Sequence, residues 1–352
     1  MQNADDRFGS HRVVKPKGVL PQQAEVVVAD TPIFLTEMLV EVESLNIDSA
    51  SFHQIRKSCG DDVSKMAKVI EEIVNTRGKM QNPVTGSGGM FIGTVKEIGS
   101  KFLEGKVASE IVKVGDRIAS LVSLTLTPLK IKKIKKIHLD LDRVDIEGHA
   151  ILFQSGIYSL LPKDISDTLA LAVLDVCGAP AQTKAMCKEG NTVVLIGGAG
   201  KSGILSLYEA KKAVGKKGKV IALDYNAESV ALLKGLSFVD EAHACDARNA
   251  MEVYELVKKI THGAMADVVI NVTNIPDTEM SCILSAKHGG VVYYFSMATS
   301  FTKAALGAEG VGAHVDLIIG NGYRPGHAAL TLQILRDSKE IKEIYEKKYG
   351  SS

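Results

Sequence analysis

The sequence predicts a two-domain α/β protein, with a β-rich N-terminal half followed by a six-stranded parallel sheet covered by helices. Three observations predict it. The 352 residues are enough for roughly two domains of ~150 residues each. Beyond about residue 155, strand patterns alternate with helical ones, as in a parallel sheet covered on both faces. Before that point, short strand patterns and turns surround one strong helix. The expected domains are therefore 1–155 and 156–352.

Composition narrows the function classes. Lys plus Arg is 42 against 41 Asp plus Glu, a net charge of +1, which is too balanced for a dedicated nucleic-acid binder. Hydrophobic residues at 45% and charged residues at 24% exclude wholesale disorder. Cys59, Cys177, Cys187, Cys245 and Cys282 lack the spacing of a metal or redox motif. Reduced thiols in a cytosolic compartment are the simplest reading. Residues 1–21 are polar, and no apolar run approaches the ~18 residues of a membrane span. The expectation is a cytoplasmic protein with no signal peptide, no membrane partner and no nucleic-acid partner.

In the first half, strands are expected at 25–28, 38–45, 91–98 and 117–122. The helix is expected over 61–77. Val63, Met66, Ala67, Ile70, Ile73 and Val74 share one face, with Asp61 or Asp62 as cap and Gly78 as terminator. The stretch 129–137 carries Lys130, Lys132, Lys133, Lys135 and Lys136. It reads as a polyanion site, or as an edge strand with Ile131, Ile134 and Ile137 facing inward. Asp140, Asp142, Asp145 and Glu147 follow at once, which favours the edge strand.

In the second half, helices are expected at 164–176 and 180–188. Strands follow at 192–196, 220–224, 242–245, 267–272, 290–295 and 315–319. Helices at 203–214, 227–236, 250–261, 277–287 and 325–336 separate most of them. Six strands is the count of a full dinucleotide-binding (Rossmann) fold.

The most informative segment runs from Val193 to Gly203. Gly198, Gly200 and Gly203 satisfy G-x-G-x-x-G between a buried-type strand and a helix. In such a motif the first glycine makes the tight turn, the second lets the backbone approach a pyrophosphate, and the third packs helix on strand. The helix start, including Ala199, Lys201 and Ser202, offers N–H groups to phosphate. Asp224 ends the next strand close to the expected ~20 residues on, where a carboxylate accepts the ribose hydroxyls. Tyr225 and Asn226 follow with no arginine, so NAD is favoured over NADP, although side chains from elsewhere can accommodate the extra phosphate. Gly200-Lys201-Ser202 is not a P-loop, because Leu195 stands where its first glycine belongs. Asp246 ends the weak third strand beside the expected adenine. Thr273 and Ser296 follow the fourth and fifth strands, at the ends where open α/β sheets bind ligands.

The order of the two domains and four short segments together resemble the medium-chain dehydrogenase/reductase superfamily. The segments are 45–48 (Leu-Asn-Ile-Asp), the glycine-rich 83–99, 113–118 (Lys-Val-Gly-Asp-Arg-Ile) and 177–183. The resemblance implies a GroES-like substrate domain ahead of the Rossmann domain, with Thr183 at the nicotinamide and Asp175 and Cys177 close by. Zinc-dependent members carry Gly-His-Glu where this chain has Gly86-Ser87-Gly88, and no cysteine stands near 48–51. Cys177 alone is at a ligand-like position. A catalytic zinc needs three protein ligands, so a zinc-free enzyme with no metal site is expected.

Over the whole chain, the stretches 11–14, 82–93, 145–153 and 177–183 are similar to the family of L-erythro-3,5-diaminohexanoate dehydrogenases of bacterial lysine fermentation. This resemblance implies oxidative deamination of a small amino acid substrate with hydride transfer to NAD or NADP, in lysine degradation. Asp48 is implied beside the substrate, and serves equally as a turn cap after Asn46. His53 is a candidate base, with a satisfied surface histidine as the other reading. Ser51 and Ser87 occupy former ligand positions and are candidates to bond the substrate. Arg56 and Arg324 are candidate carboxylate anchors. The competing expectations are a zinc-free quinone, enone or carbonyl reductase of the same architecture, and a non-catalytic nucleotide-sensing protein. A homodimer through the edge strand 315–319 is expected.

Overall fold

A computed structural model describes residues 6–320 and 322–350. They form two compact units, 1–164 and 165–352. The boundary follows Asp164 rather than residue 155, because a short strand at 158–160 pairs into the first unit's sheet.

The first unit opens with β1 (Val13–Lys15), β2 (Val26–Val27) and β3 (Glu37–Ile47), then α1 (Ser49–Cys59) and α2 (Val63–Arg77). It continues with β4 (Gly89–Ile98), β5 (Arg117–Ser120), β6 (Leu129–His138), β7 (Arg143–Phe153) and β8 (Tyr158–Leu160). Six strands make one sheet in the order β6-β7-β3-β4-β5-β8, with antiparallel pairing throughout. β3 lies in its middle. Met38, Val40 and Val42 face the core, and after a bulge the inward set resumes at Leu45 and Ile47. A bulge changes which parity of residue faces inward.

The lysine-rich β6 is an edge strand. Two register shifts in its pairing with β7 let residues three apart share the inner face, so Ile131, Ile134 and Ile137 pack on the core while the lysines stay exposed. In α2 the cap is Asp62, whose carboxylate accepts the amides of Ser64 and Lys65. Asp61 instead adopts a positive φ of 60°. Val63 is exposed, and the buried stripe is Met66, Ile70 and Val74. The unpredicted α1 is held by Asp48 at its start and Gly60 at its end, and buries Phe52, Ile55 and Cys59.

Glu37 anchors the N-terminal segment of this unit. Its fully buried carboxylate accepts Arg12 Nε at 2.8 Å and Nη2 at 2.6 Å, His11 Nε2 at 2.7 Å and the Phe34 amide at 2.8 Å. Arg12 donates onward to the carbonyls of Asp30 and Pro32.

The second unit contains α3 (Asp167–Leu174), α4 (Gly178–Met186), β9 (Thr192–Ile196), α5 (Lys201–Val214), β10 (Lys219–Asp224), α6 (Ala227–Lys234) and β11 (Glu241–Ala244). Next come α7 (Ala250–Ile260), β12 (Ala266–Asn271), α8 (Glu279–Ser285), β13 (Ala286–Tyr294), α9 (Phe301–Gly310), β14 (Val315–Ile319), α10 (His327–Asp337) and α11 (Lys339–Tyr349). The sheet is parallel in the order β11-β10-β9-β12-β13-β14. The chain winds outward from β9 in both directions, so the order reverses between β9 and β12, where such sheets bind ligands. α9 and α11 lie outside the expected helices: α9 buries only Ala304 and Ala308, and α11 only Ile341 and Tyr345. No described helix is long and apolar enough to cross a membrane.

Burial alone would raise the Glu37 carboxyl, but the bonds from Arg12 and His11 outweigh it and hold the group down at about 2. That is below its ordinary 4.5, so its contribution to stability is present above pH 4.5 and is lost as the pH falls toward 2. Glu37→Gln leaves Arg12 buried without its counter-charge and is expected to cost about 3 kcal/mol at pH 7. In urea unfolding, the gap between wild type and variant narrows as the pH falls through that window.

Candidate functional site

β9 ends against the sheet's switch point. Val193 to Ile196 are buried on both faces, paired to β10 on one side and β12 on the other. The turn that follows needs a left-handed residue, and that residue is Gly197, with φ 89°, not Gly198. A Cβ on Gly197 would lie 2.9 Å from the Thr273 amide. Gly198 has a packing role, since a Cβ there would press within 3.1 Å of Leu233 and 3.2 Å of Ala222. A Cβ on Gly203 would come within 2.4 Å of the carbonyl oxygens of Gly197 and Gly198, so helix and turn touch backbone to backbone. Gly200 differs from all of these: a Cβ there would meet only the Gly197 oxygen, at 3.6 Å. Its open face is where a ligand's pyrophosphate can approach the backbone.

α5 begins at Lys201 with no side-chain cap. Its first N–H groups stay available, and the helix dipole is positive at that end. Asp224 closes β10 and binds the turn: Oδ2 accepts the Ala199 amide at 3.0 Å and Oδ1 accepts the Tyr225 amide at 2.8 Å. A cavity of about 520 Å³ opens here. Its lining includes Gly197, Gly200, Asp224, Tyr225, Asp246 and Thr273, six positions that the sequence pattern points to or adjoins. These features fit an adenine dinucleotide: an uncovered glycine, uncapped amides and a carboxylate at ribose distance along the fold.

Other expected cofactor residues are employed elsewhere. Asn226 caps α6 by accepting the Ser229 amide at 2.7 Å. Ser296 accepts the Ala298 amide in the turn after β13. Thr183 is buried and donates to the Ala179 carbonyl within α4 at 2.9 Å. Lys201 turns its ammonium to Asp175 at 2.8 Å and over the Tyr349 ring, while Ser202 lies in the first turn of α5. Cys177 is buried, and burial pushes its thiol up to about 12.

Two contributors escaped the sequence pattern. The Tyr345 hydroxyl donates to the Lys201 carbonyl at 2.6 Å, and Lys348 Nζ donates to the Ala199 carbonyl at 3.2 Å. α11 thereby holds the glycine turn from the side opposite Asp224's bond. Its signal was only the spacing of Ile341, Ile344 and Tyr345 in an otherwise charged segment.

In the first unit, the candidates divide. Asp48 Oδ1 accepts the amides of Ala50 and Ser51 at 2.9 and 3.2 Å, so it is the α1 cap. His53 lies on the exposed side of α1, with Nδ1 2.8 Å from the Ser49 carbonyl. Ser51 lies on the buried side, so the two are not brought together. Arg56 forms a two-bond pair with Asp61 at 2.7 and 2.9 Å. In the second unit, Arg324 gives Nε to Gln182 Oε1 at 2.6 Å.

Ser51 and Ser87 do meet. Their hydroxyl oxygens are 2.7 Å apart, and Thr85 Oγ1 lies 2.6 Å from Ser51 and 3.0 Å from Ser87. A closed ring of three hydroxyls uses one proton and one lone pair from each; Thr85 Oγ1 spends its second lone pair on the Ser87 amide at 3.4 Å, which leaves acceptor lone pairs on Ser51 and Ser87. Thr85 was missed because a threonine inside a Pro-Val-Thr-Gly turn reads as turn chemistry. Asn82 shapes this turn: its Oδ1 accepts the Val84 amide at 2.8 Å, and its Nδ2 donates to Gln54 at 2.8 Å.

Residues 11–162 match the family model described as the L-erythro-3,5-diaminohexanoate dehydrogenase N-terminal domain. The chain is 55% identical to an L-erythro-3,5-diaminohexanoate dehydrogenase of Acetoanaerobium sticklandii, over 97% of this chain and 98% of that protein. It is 52% identical to one of Fusobacterium nucleatum over the same shares. Among solved structures, a mycobacterial protein complexed with NADPH is 18% identical with a TM-score of 0.52, covering 88% of this chain and 84% of that one. An alcohol dehydrogenase of Thermotoga maritima shares the fold at 15% identity with a TM-score of 0.52, covering 92% of this chain and 86% of that one.

The second and third glycines of the motif are separable by mutation. Gly203→Ala forces backbone apart and is expected to cost about 2 kcal/mol or more in thermal unfolding. Gly200→Ala is expected to stay within about 1 kcal/mol of wild type, yet to weaken NAD binding at least ~10-fold in a fluorescence titration, since its methyl group fills the approach to the backbone.

Proposed function

This chain belongs to the L-erythro-3,5-diaminohexanoate dehydrogenase family, and on that premise we propose that it oxidatively deaminates L-erythro-3,5-diaminohexanoate. The products are 5-amino-3-oxohexanoate, ammonia and the reduced cofactor, and the reaction serves lysine fermentation. The observation that carries this reading is identity above 50% along 97% of the chain. It favours deamination over the enone or carbonyl reductase that the bare fold also allows.

A nicotinamide cofactor held by this unit would supply the acceptor for a hydride from C3 of the substrate. The turn at 197–200, the α5 amides and Asp224 are the residues to hold that cofactor. Asp224 supports NAD over NADP, because a carboxylate there accepts ribose hydroxyls and repels a 2′-phosphate. The amine at C3 must be neutral when hydride leaves, so that its lone pair stabilises the cation; water then adds and ammonia departs. The Ser51–Thr85–Ser87 ring offers acceptors to the amine N–H groups and can shift hydroxyl protons around itself by reversing its bonds. We assign it to the substrate amine.

The donor set supports a reaction without zinc. Zinc takes thiolate, imidazole or carboxylate ligands, whereas the former ligand positions carry hydroxyls already bonded to one another. Among the described residues no three His, Cys, Asp or Glu side chains converge as a metal site. The five buried, unpaired cysteines support a reducing, cytoplasmic setting. Phe301 and Leu306 on α9 and Ile319 on the edge strand β14 are exposed, which supports a homodimer through this edge.

Three measurements test these readings. Exhaustively chelated protein is expected to reduce NAD with the diamino acid and to release one ammonia per NADH; loss of turnover on chelation, or NADH without ammonia, refutes the reading. Ser87→Ala is expected to lower kcat/KM roughly 10-fold through a lost substrate hydrogen bond, with NAD affinity unchanged by titration. Light scattering is expected to give twice the 37.7 kDa chain mass, falling to one chain in Leu306→Glu.

A further inference from the structure

The cavity beside Asp224 holds a second acid and a cation that no sequence motif joins to it. Asp246 and Arg248 follow β11, and the parallel register that sets Asp224 beside Ala244 brings them to the same mouth. Arg248 curls back on Asp246. Its Nε lies 3.0 Å from Oδ1 and its Nη2 2.7 Å from Oδ2, while its own amide also donates to Oδ1 at 3.0 Å. Arg248 is the one cation among the cavity's described lining residues. Its guanidinium side chain is 56% exposed, and among the described residues no further hydrogen bond holds it.

We propose that Asp246 is a latch that keeps Arg248 from an adenosine 2′-phosphate, so that cofactor choice is set by Asp246 together with Asp224. The inference rests on the dinucleotide reading of this cavity. An exposed ion pair is weak, and a dianionic phosphate is a strong partner for a guanidinium fork. Strength of pairing alone would therefore let phosphate win. In this cavity it does not, because the exchange is not one pair for another. Moving Arg248 onto a phosphate uncovers the Asp246 carboxylate beside the same dianion, with Asp224 already facing it. Two carboxylates against one guanidinium leave the mouth net negative whichever way the arginine turns.

Asp246→Asn separates the charge from the shape. The amide oxygen still accepts the Arg248 backbone N–H and keeps the turn, while the two-bond grip and one negative charge are gone. The released arginine then meets the 2′-phosphate at the mouth of the cavity.

The test is calorimetric binding of 5′-AMP and adenosine 2′,5′-bisphosphate to the full chain, with no turnover required. Wild type is expected to prefer AMP. Asp246→Asn is expected to shift the ratio of the two affinities roughly 10-fold toward the bisphosphate, and Asp246→Asn with Arg248→Gln to return it to the wild-type ratio. Arg248→Gln alone is expected to move the ratio further toward AMP, because Asp246 is then left uncompensated beside the phosphate. A ratio unmoved by Asp246→Asn, a gain that survives loss of Arg248, or a ratio that rises toward the bisphosphate in Arg248→Gln overturns the latch. A wild-type chain that binds neither nucleotide refutes the cofactor reading instead.

Discussion

The hydrogen bond from the Ala199 amide to the Asp224 carboxylate is the constraint on which the second unit's chemistry depends. A glycine turn has no side chains of its own to hold it in place. It must be fixed from outside, and fixed without covering the face that a cofactor approaches. Asp224 does this from the neighbouring strand, using oxygens that also face the ribose position. Tyr345 and Lys348 do it through the turn's carbonyls. Held through one amide and two carbonyls, the turn keeps the N–H groups at the start of α5 as free donors. The helix end is left without a side-chain cap, which is the condition for an anion to approach it.

The charged groups of this chain show how burial decides what a pair can do. Glu37 is enclosed with Arg12 and His11, and separating them would strand charges in an apolar interior. That pair is architecture. Asp246 and Arg248 have similar bonding geometry but face water. Water can replace either partner at little cost, so what the pair does depends on the charges around it. The hydroxyl ring in the first unit lies between these cases. Ser51 is buried, whereas Thr85 is exposed, so the ring is fixed at one side and open at the other. It has no formal charge to desolvate.

Much of the second unit was legible because buried parallel strands are nearly continuous apolar runs. β9 and β14 fall at their expected bounds, and the acid ending β10 was visible by spacing. The helices that escaped, α1, α9 and α11, are those whose cores rest on two or three apolar residues among many polar ones. Their stability comes from caps and tertiary packing, which a periodicity count underweights. The candidate site was less legible than the fold. Asp48 and His53 stood in the right segment, yet the former is spent on capping α1 and the latter faces solvent. Thr85 and Arg248 have unremarkable neighbours in sequence and acquire significance only from what lies across from them.

The sequence by itself determined the two-unit α/β plan, the six-strand count, the glycine turn and the acid after the second strand. These are properties of local backbone demand and of apolar period, which a linear string carries directly. Whole-chain similarity carried the reaction. Only the tertiary structure decided that Gly197 rather than Gly198 makes the left-handed turn, that Cys177 and Thr183 are buried, and that Ser51, Thr85 and Ser87 close a ring. It alone brought Arg248 to the cavity of Asp224. The physical reason is common to all of these. Each depends on which atoms lie within hydrogen-bonding reach across strands and turns far apart in the chain, and that reach is set by sheet register and packing rather than by spacing along the sequence.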